Sequence, residues 1–197
     1  MTTDPAPAVR NPRLISVVIP AYNERNALPA LFARLMAVLD SACPYEVVVV
    51  DDGSRDGTGE FLRRTCSEWR QLRYVTLSRN FGHQNALRAG LVEARGDCVI
   101  TMDADLQHPP ELVPELVARW QGGDDVVFTI RNDEHTSWFK RRTAALYYRM
   151  LAIMSDNPPI PGTADFRLLD RRVVDVFVDL KEHAVFMRGL VPWVGFR

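Results

Sequence analysis

The feature that most constrains the fold is a repeated succession: a short, largely apolar run, then a polar or acidic cluster, then a segment with helical spacing. The runs are Leu14–Ile19, Tyr45–Val50, Leu72–Leu77, Asp97–Met102 and Asp125–Ile130. Such short runs suit strands buried on both faces. Pro20 is expected to stop the first. Between them, Leu28, Leu31, Phe32, Leu35, Met36 and Leu39 share one helical face. Further helices are expected over Thr58–Trp69, over His83–Arg95 closed by Gly96, and after Pro109-Pro110, where a first-turn proline costs little. Gly122-Gly123 ends the last of these. The alternation predicts an α/β fold: an open, mostly parallel, Rossmann-like sheet flanked by helices.

In such sheets ligands bind beyond the carboxyl ends of the strands. Here those ends read Pro20-Ala21-Tyr22-Asn23-Glu24, Asp51-Asp52-Gly53-Ser54, Ser78-Arg79-Asn80 and Asp103-Ala104-Asp105. The active site is expected there. After Arg131 the pattern changes to an amphipathic helix carrying Trp138, Phe139, Leu146, Tyr147, Met150, Leu151 and Met154. A Pro-rich loop and a helix around Val173–Leu180 follow. This part is expected to pack across the sheet as the acceptor side. The Pro-rich lead, residues 1–12, reads as disordered. The rest, 13–197, is long enough for one substantial core and short for two.

Charge sets limits on partners. The chain has 24 Lys plus Arg against 25 Asp plus Glu, so it offers no global footprint for a nucleic-acid backbone, and no nucleic-acid partner is expected. Locally, Trp138–Arg172 holds seven basic residues against three acidic. That excess either receives phosphate or forms a solvated helix face. Cys43, Cys66 and Cys98 lack zinc-site spacing and read as reduced core residues of a cytosolic protein. With no apolar leader and no run of about 18 apolar residues, the sequence reads as soluble and not secreted.

Asp103-x-Asp105 directly after a buried strand is the central motif. Two carboxylates on one turn can hold a hard divalent cation and leave room for phosphate oxygens. Gln107 would add an oxygen ligand. His108 either donates to phosphate or caps a turn, and we read it as a cap. Asp51-Asp52-Gly53-Ser54-x-Asp56-Gly57-Thr58 places carboxylates where they can hydrogen-bond ribose hydroxyls or a base edge.

SVVIPAYNE, VVVVDDGSRDGT, LSRNFGHQNALRAGL, DADLQHPPE, DFRLLDRRVVD and FMRGLVPWVGF, in this order, resemble family 2 glycosyltransferases of the GT-A fold. The last two motifs resemble those of the polyprenyl-phosphate branch, which includes dolichol-phosphate mannosyltransferases and undecaprenyl-phosphate glucosyltransferases. The resemblance implies a nucleotide-sugar-binding half over 13–131 and an acceptor half over 132–197. It implies that Pro20, Tyr22, Glu24 and Asp52 bind the nucleoside, and that Asp103, Asp105 and Gln107 hold Mg²⁺ or Mn²⁺ and the diphosphate. Arg131, Lys140, Asp165, Arg167 and Arg188 would hold the sugar and phosphates. Asp105, Asp165, Arg167 and Arg188 are the candidate catalytic residues.

There are two departures. The branch often has a second arginine three residues after the position of Arg131, where this sequence has Glu134. Its members usually continue past the Gly-Phe motif into an amphipathic helix and membrane helices, and these are expected to be absent here.

The implied activity is inverting transfer of a hexose, from UDP-glucose first and GDP-mannose second, to a polyprenyl phosphate at the cytosolic membrane face, with peripheral membrane contact. A phosphate monoester, with its second pKa near ~6, is already largely dianionic and needs cations more than a base. Asp165 is therefore a base or an orienting partner of Arg167. The competing readings are transfer to a saccharide hydroxyl in cell-surface polysaccharide assembly, and a non-catalytic nucleotide-sugar-binding fragment. Oligomeric state is not legible.

Overall fold

The structure is a computed structural model that describes residues 10–40, 43–130, 163–180 and 195–196. In chain order it contains β1 (Ile15–Ala21), α1 (Leu28–Leu39), β2 (Tyr45–Asp51), α2 (Thr58–Glu68), β3 (Leu72–Thr76), α3 (His83–Glu93) and β4 (Cys98–Thr101). A 3₁₀ turn (Pro110–Leu112), α4 (Val113–Gln121), β5 (Val126–Ile130), β6 (Thr163–Asp170) and α5 (Arg171–Asp179) complete it. The expected helix around Trp138–Met154 and the Pro-rich loop lie outside the described residues.

The six strands form one sheet in the order β3-β2-β1-β4-β6-β5. β1 pairs in parallel with β2 and β4, and β2 with β3. β6 runs antiparallel to both β4 and β5, so the sheet is mixed. No strand is legible at DFRLLD from sequence, because Asp165 and Arg167 occupy positions where a buried strand is expected to be apolar. In the fold they are 4% and 1% exposed.

β1 also runs past Pro20 to Ala21. The Val18 carbonyl accepts from the Met102 N–H and the Ala21 carbonyl from the Asp52 N–H, so alternate residues face alternate neighbours. Pro20 therefore faces the β4 side, beyond Thr101, the last β4 residue paired with β1. Its missing N–H breaks no ladder bond there.

Two apolar clusters cover the two faces. One joins β1, β2, β4 and β6 to α1, α2 and α4, with Leu31, Leu35, Leu62, Leu116 and Trp120 in it. The other seats α3 and α5 through Leu87, Leu91, Val173 and Phe177. α3 lies hard on the sheet: a Cβ on Gly90 would stand 2.3 Å from a Val18 methyl. Of the predicted α1 face, Met36 is exposed and the other five residues are buried.

The Arg10 guanidinium bonds Asp125 at 2.8 Å and Asp170 at 3.1 Å and lies over the Trp120 ring. Among the described residues, no helix is long and apolar enough to cross a membrane.

Candidate active site

The four polar strand ends meet in one crevice of about 360 Å³. It is lined by Pro20 and Ala21 at the end of β1 with Tyr22 and Glu24 just after it, Asp52 after β2, Asn80, His83 and Ala86 at the start of α3, and Asp103, Ala104 and Asp105 after β4. The parallel register delivers these ends side by side, with Ala21 opposite Asp51 and Val18 opposite Thr101.

The first two loops are laced together. The Asn23 N–H donates to the Ser54 hydroxyl (2.9 Å), the Arg55 N–H to the Asn23 side-chain oxygen (2.9 Å), and the Glu24 N–H to the Thr58 hydroxyl (3.1 Å). The Arg25 N–H donates to Asp56 (3.1 Å). Asn23 adopts φ 59°, a left-handed conformation that asparagine tolerates. Gly53, at φ 72°, is where the second loop touches the third: a Cβ there would lie 2.5 Å from the Arg79 carbonyl carbon.

Asp52 is 2% exposed, and its two oxygens accept from the Phe81 and Gly82 N–H groups at 2.7 and 2.9 Å. Its carboxylate thus shapes the loop ahead of α3 besides lining the crevice. Tyr22, 45% exposed, presents its ring at the mouth.

In the third acidic loop, Asp105 Oδ1 accepts from the Gln107 N–H at 3.0 Å, and Leu106 between them sits at φ 62°. A left-handed leucine costs on the order of 1 kcal/mol, so the turn is held by its surroundings. The Gln107 side chain is exposed and does not line the crevice. His108 is neither a surface turn cap nor an exposed phosphate donor. It is 3% exposed, packs on Phe166, and places Nδ1 3.5 Å from Asp103 Oδ2. Ligand atoms of Asp103, Asp105 and His108 lie within 4.8 Å of one another, as do those of His83, Asp103 and Asp165.

Crowding of carboxylates marks the site. Burial pushes the Glu24 carboxyl above its ordinary value, and the charges of Asp105, Asp56 and Asp103 add to this. Asp103 is also raised, by burial first; His83 and His108 oppose the shift, and Asp165 and Asp105 reinforce it. Among the described lining residues are four carboxylates and no lysine or arginine.

Of the residues expected from sequence, Pro20, Tyr22, Glu24, Asp52, Asp103 and Asp105 are brought together. Asp165 lies just behind, its Oδ2 3.4 Å from His83 Nε2. Arg167 is buried and ion-paired with Asp165. Arg171 and Arg172 belong to the opposite end of the sheet, bound to the Gly96 carbonyl and to Asp170. Arg131, Lys140 and Arg188 lie outside the described residues. Asn80 belongs to one of the polar strand ends expected to line the site, without an assigned role; His83, three residues further on at the start of α3, is the lining residue that sequence reasoning missed.

The sequence matches the family described as "Glycosyl transferase family 2" over residues 16–177. An uncharacterized glycosyltransferase of Synechocystis is 46% identical over 185 residues, covering 93% of this chain and 58% of the relative. A bactoprenol glucosyl transferase of Shigella phage SfV is 38% identical over 184 residues, covering 92% and 60%. The solved mannosyltransferase from Pyrobaculum calidifontis in complex with GDP-Man and Mn²⁺ superposes with TM-score 0.62 at 22% identity, covering 95% of this chain and 54% of that one.

The chain belongs to glycosyl transferase family 2, and its fold is of the GT-A type. It spans about three fifths of the length of the curated relatives it matches.

Proposed function

We propose that this chain is the catalytic domain of an inverting glycosyltransferase that moves a hexose from a nucleotide diphosphate sugar to a polyprenyl phosphate at the cytosolic face of a membrane. The observation that carries the proposal is the convergence of Tyr22, Glu24, Asp52, Asp103 and Asp105 on one crevice. UDP-glucose is the first candidate donor and GDP-mannose the second. The phage relative's name, a bactoprenol glucosyl transferase, supports the lipid-phosphate acceptor.

Four carboxylates facing a diphosphate would repel it without a cation between them. The donor set fits a divalent metal: Asp103 and Asp105 offer hard oxygens, with the His108 nitrogen close by. Asp103 and Asp105 would hold Mg²⁺ or Mn²⁺, which would supply charge neutralisation of the departing diphosphate. Gln107 would join only by turning its exposed side chain inward.

The remaining steps fall to the chain. Tyr22 offers a ring face to the base, and Asp52 keeps the 81–82 loop in place beside the nucleoside. A phosphate oxygen of the acceptor attacks the anomeric carbon as the bond to the nucleoside diphosphate breaks, a single displacement that inverts configuration. An acceptor already dianionic needs no strong base. The ion pair with Arg167 favours the orienting reading of Asp165 over the base reading.

The test is a panel of UDP- and GDP-sugars with short polyprenyl phosphates in detergent. A lipid-extractable sugar phosphate of inverted anomeric configuration is expected. Transfer to free saccharide hydroxyls, with none to polyprenyl phosphate, would overturn the acceptor assignment.

A further inference from the structure

The His83 imidazole is used by none of the assignments above. It stands on the first residue of α3, with Nε2 3.6 Å from Asp103 Oδ1 and 3.4 Å from Asp165 Oδ2. Asp103 follows β4 by two residues, on the donor side. Asp165 lies on β6, where its other oxygen pairs with Arg167 and its carbonyl accepts from the Thr101 hydroxyl. One ring nitrogen therefore faces two carboxylates on different strands.

The ring itself is firmly based. Asp52 fixes the two preceding N–H groups, and Gly90 lets α3 settle directly on Val18. Two carboxylates this close repel unless a donor stands between them. Both distances exceed the usual N–H···O range of about 2.7–3.2 Å, so the nitrogen is placed to close on either oxygen, and its one hydrogen closes well on only one. When Asp103 is engaged by a bound ligand, the N–H remains available to Asp165.

We infer that His83 is a positioning residue for transfer: it sets the separation between the Asp103 carboxylate and the Asp165–Arg167 pair, and through them between the donor and acceptor sides of the crevice. The inference rests on the proposed function and names a residue that function does not itself require.

The test compares wild type, His83→Ala and His83→Gln for UDP affinity with Mn²⁺ by calorimetry, and for kcat and donor KM in transfer or donor hydrolysis, whichever the wild type performs. His83→Ala should lower kcat about tenfold or more, since misplacement of reacting groups by ~1 Å costs on that order or above. UDP affinity and donor KM should stay within about threefold. His83→Gln should recover most of kcat, because its amide N–H reaches the same oxygens.

Unchanged kcat in His83→Ala, with wild-type transfer intact, overturns this inference alone. Joint loss of kcat and UDP affinity without rescue by glutamine also overturns it, marking the ring as a ligand or a structural prop. A wild-type chain that binds no sugar nucleotide sinks the proposed function, and this inference with it.

Discussion

The two ends of this sheet both carry acidic groups and treat them in opposite ways. At the carboxyl ends of β1, β2 and β4, Glu24, Asp52, Asp103 and Asp105 face one crevice, and the carboxyls of Glu24 and Asp103 are raised by burial first and by neighbouring carboxylates next. At the amino ends, Glu46 accepts from Ser16, from the Arg95 N–H and from Arg73, while Asp170 accepts from Trp120, Arg10 and Arg172. Burial acts on Glu46 and Asp170 as well, but these bonds outweigh it and hold both below the ordinary range. The amino end is satisfied and works for the fold. Among the described residues, the carboxyl end gathers carboxylates in a crevice lined by no lysine or arginine, a charge that a cationic ligand would relieve.

The largest effect should come from removing charge at the unbalanced end. Asp105→Ala is expected to cost on the order of 10³-fold in turnover, several kcal/mol of stabilisation of the leaving diphosphate, with an unchanged circular dichroism spectrum. Full activity in excess chelator would break the comparison at its root.

Next is Gly53→Ala, where a Cβ meets the Arg79 backbone at positive φ. Urea unfolding should show a loss of about 2–4 kcal/mol, together with weaker UDP binding, because two crevice loops must part. At the other end, Arg73→Ala leaves the mostly buried Glu46 carboxylate short of one partner. Arg73 is itself part exposed, so the expected loss is about 2 kcal/mol, with UDP affinity untouched.

The smallest effect is in pH. Glu24 and Asp103 have folded values above their ordinary 4.5 and 3.8, so the folded chain holds their protons more tightly than the unfolded chain does. Their contribution to stability therefore falls as pH rises from the ordinary values through the raised ones. Glu46 and Asp170 carry the opposite sign: their contribution is present above the ordinary values and is lost as pH falls through the lowered ones. Melting of the metal-free chain should rise slightly on mild acidification and fall only in stronger acid. Asp103→Asn should flatten the first change and leave the second. Melting curves against pH in chelator check this, and a rise that persists undiminished in the variant would remove Asp103 from the account.

Much of this was legible in the sequence, and the legible parts share one property. An apolar run, the loop that ends it and the helix after it are neighbours along the chain, so local pattern located β1 to β5, α1 to α4 and the acidic strand ends. Parallel connection then obliges those ends to lie on one side, which is why the sequence alone groups Tyr22, Asp52 and Asp103. β6 escaped because its buried charges violate the apolar pattern of a strand. They are tolerated only because Asp165 and Arg167 neutralise each other between β4 and β5.

The sequence by itself thus determined the layered α/β architecture and which residue types crowd the crevice. Only the tertiary structure decided how those charges are shared: that His108 is buried against Asp103, that Gln107 faces outward, that Asp52 also anchors a backbone loop, and that His83 stands between Asp103 and Asp165. The physical reason is range. Hydrophobic periodicity acts over a few residues, whereas the partner of a buried charge can come from another strand, as with Ser16 and Glu46, 30 residues apart, and is fixed only when the sheet closes.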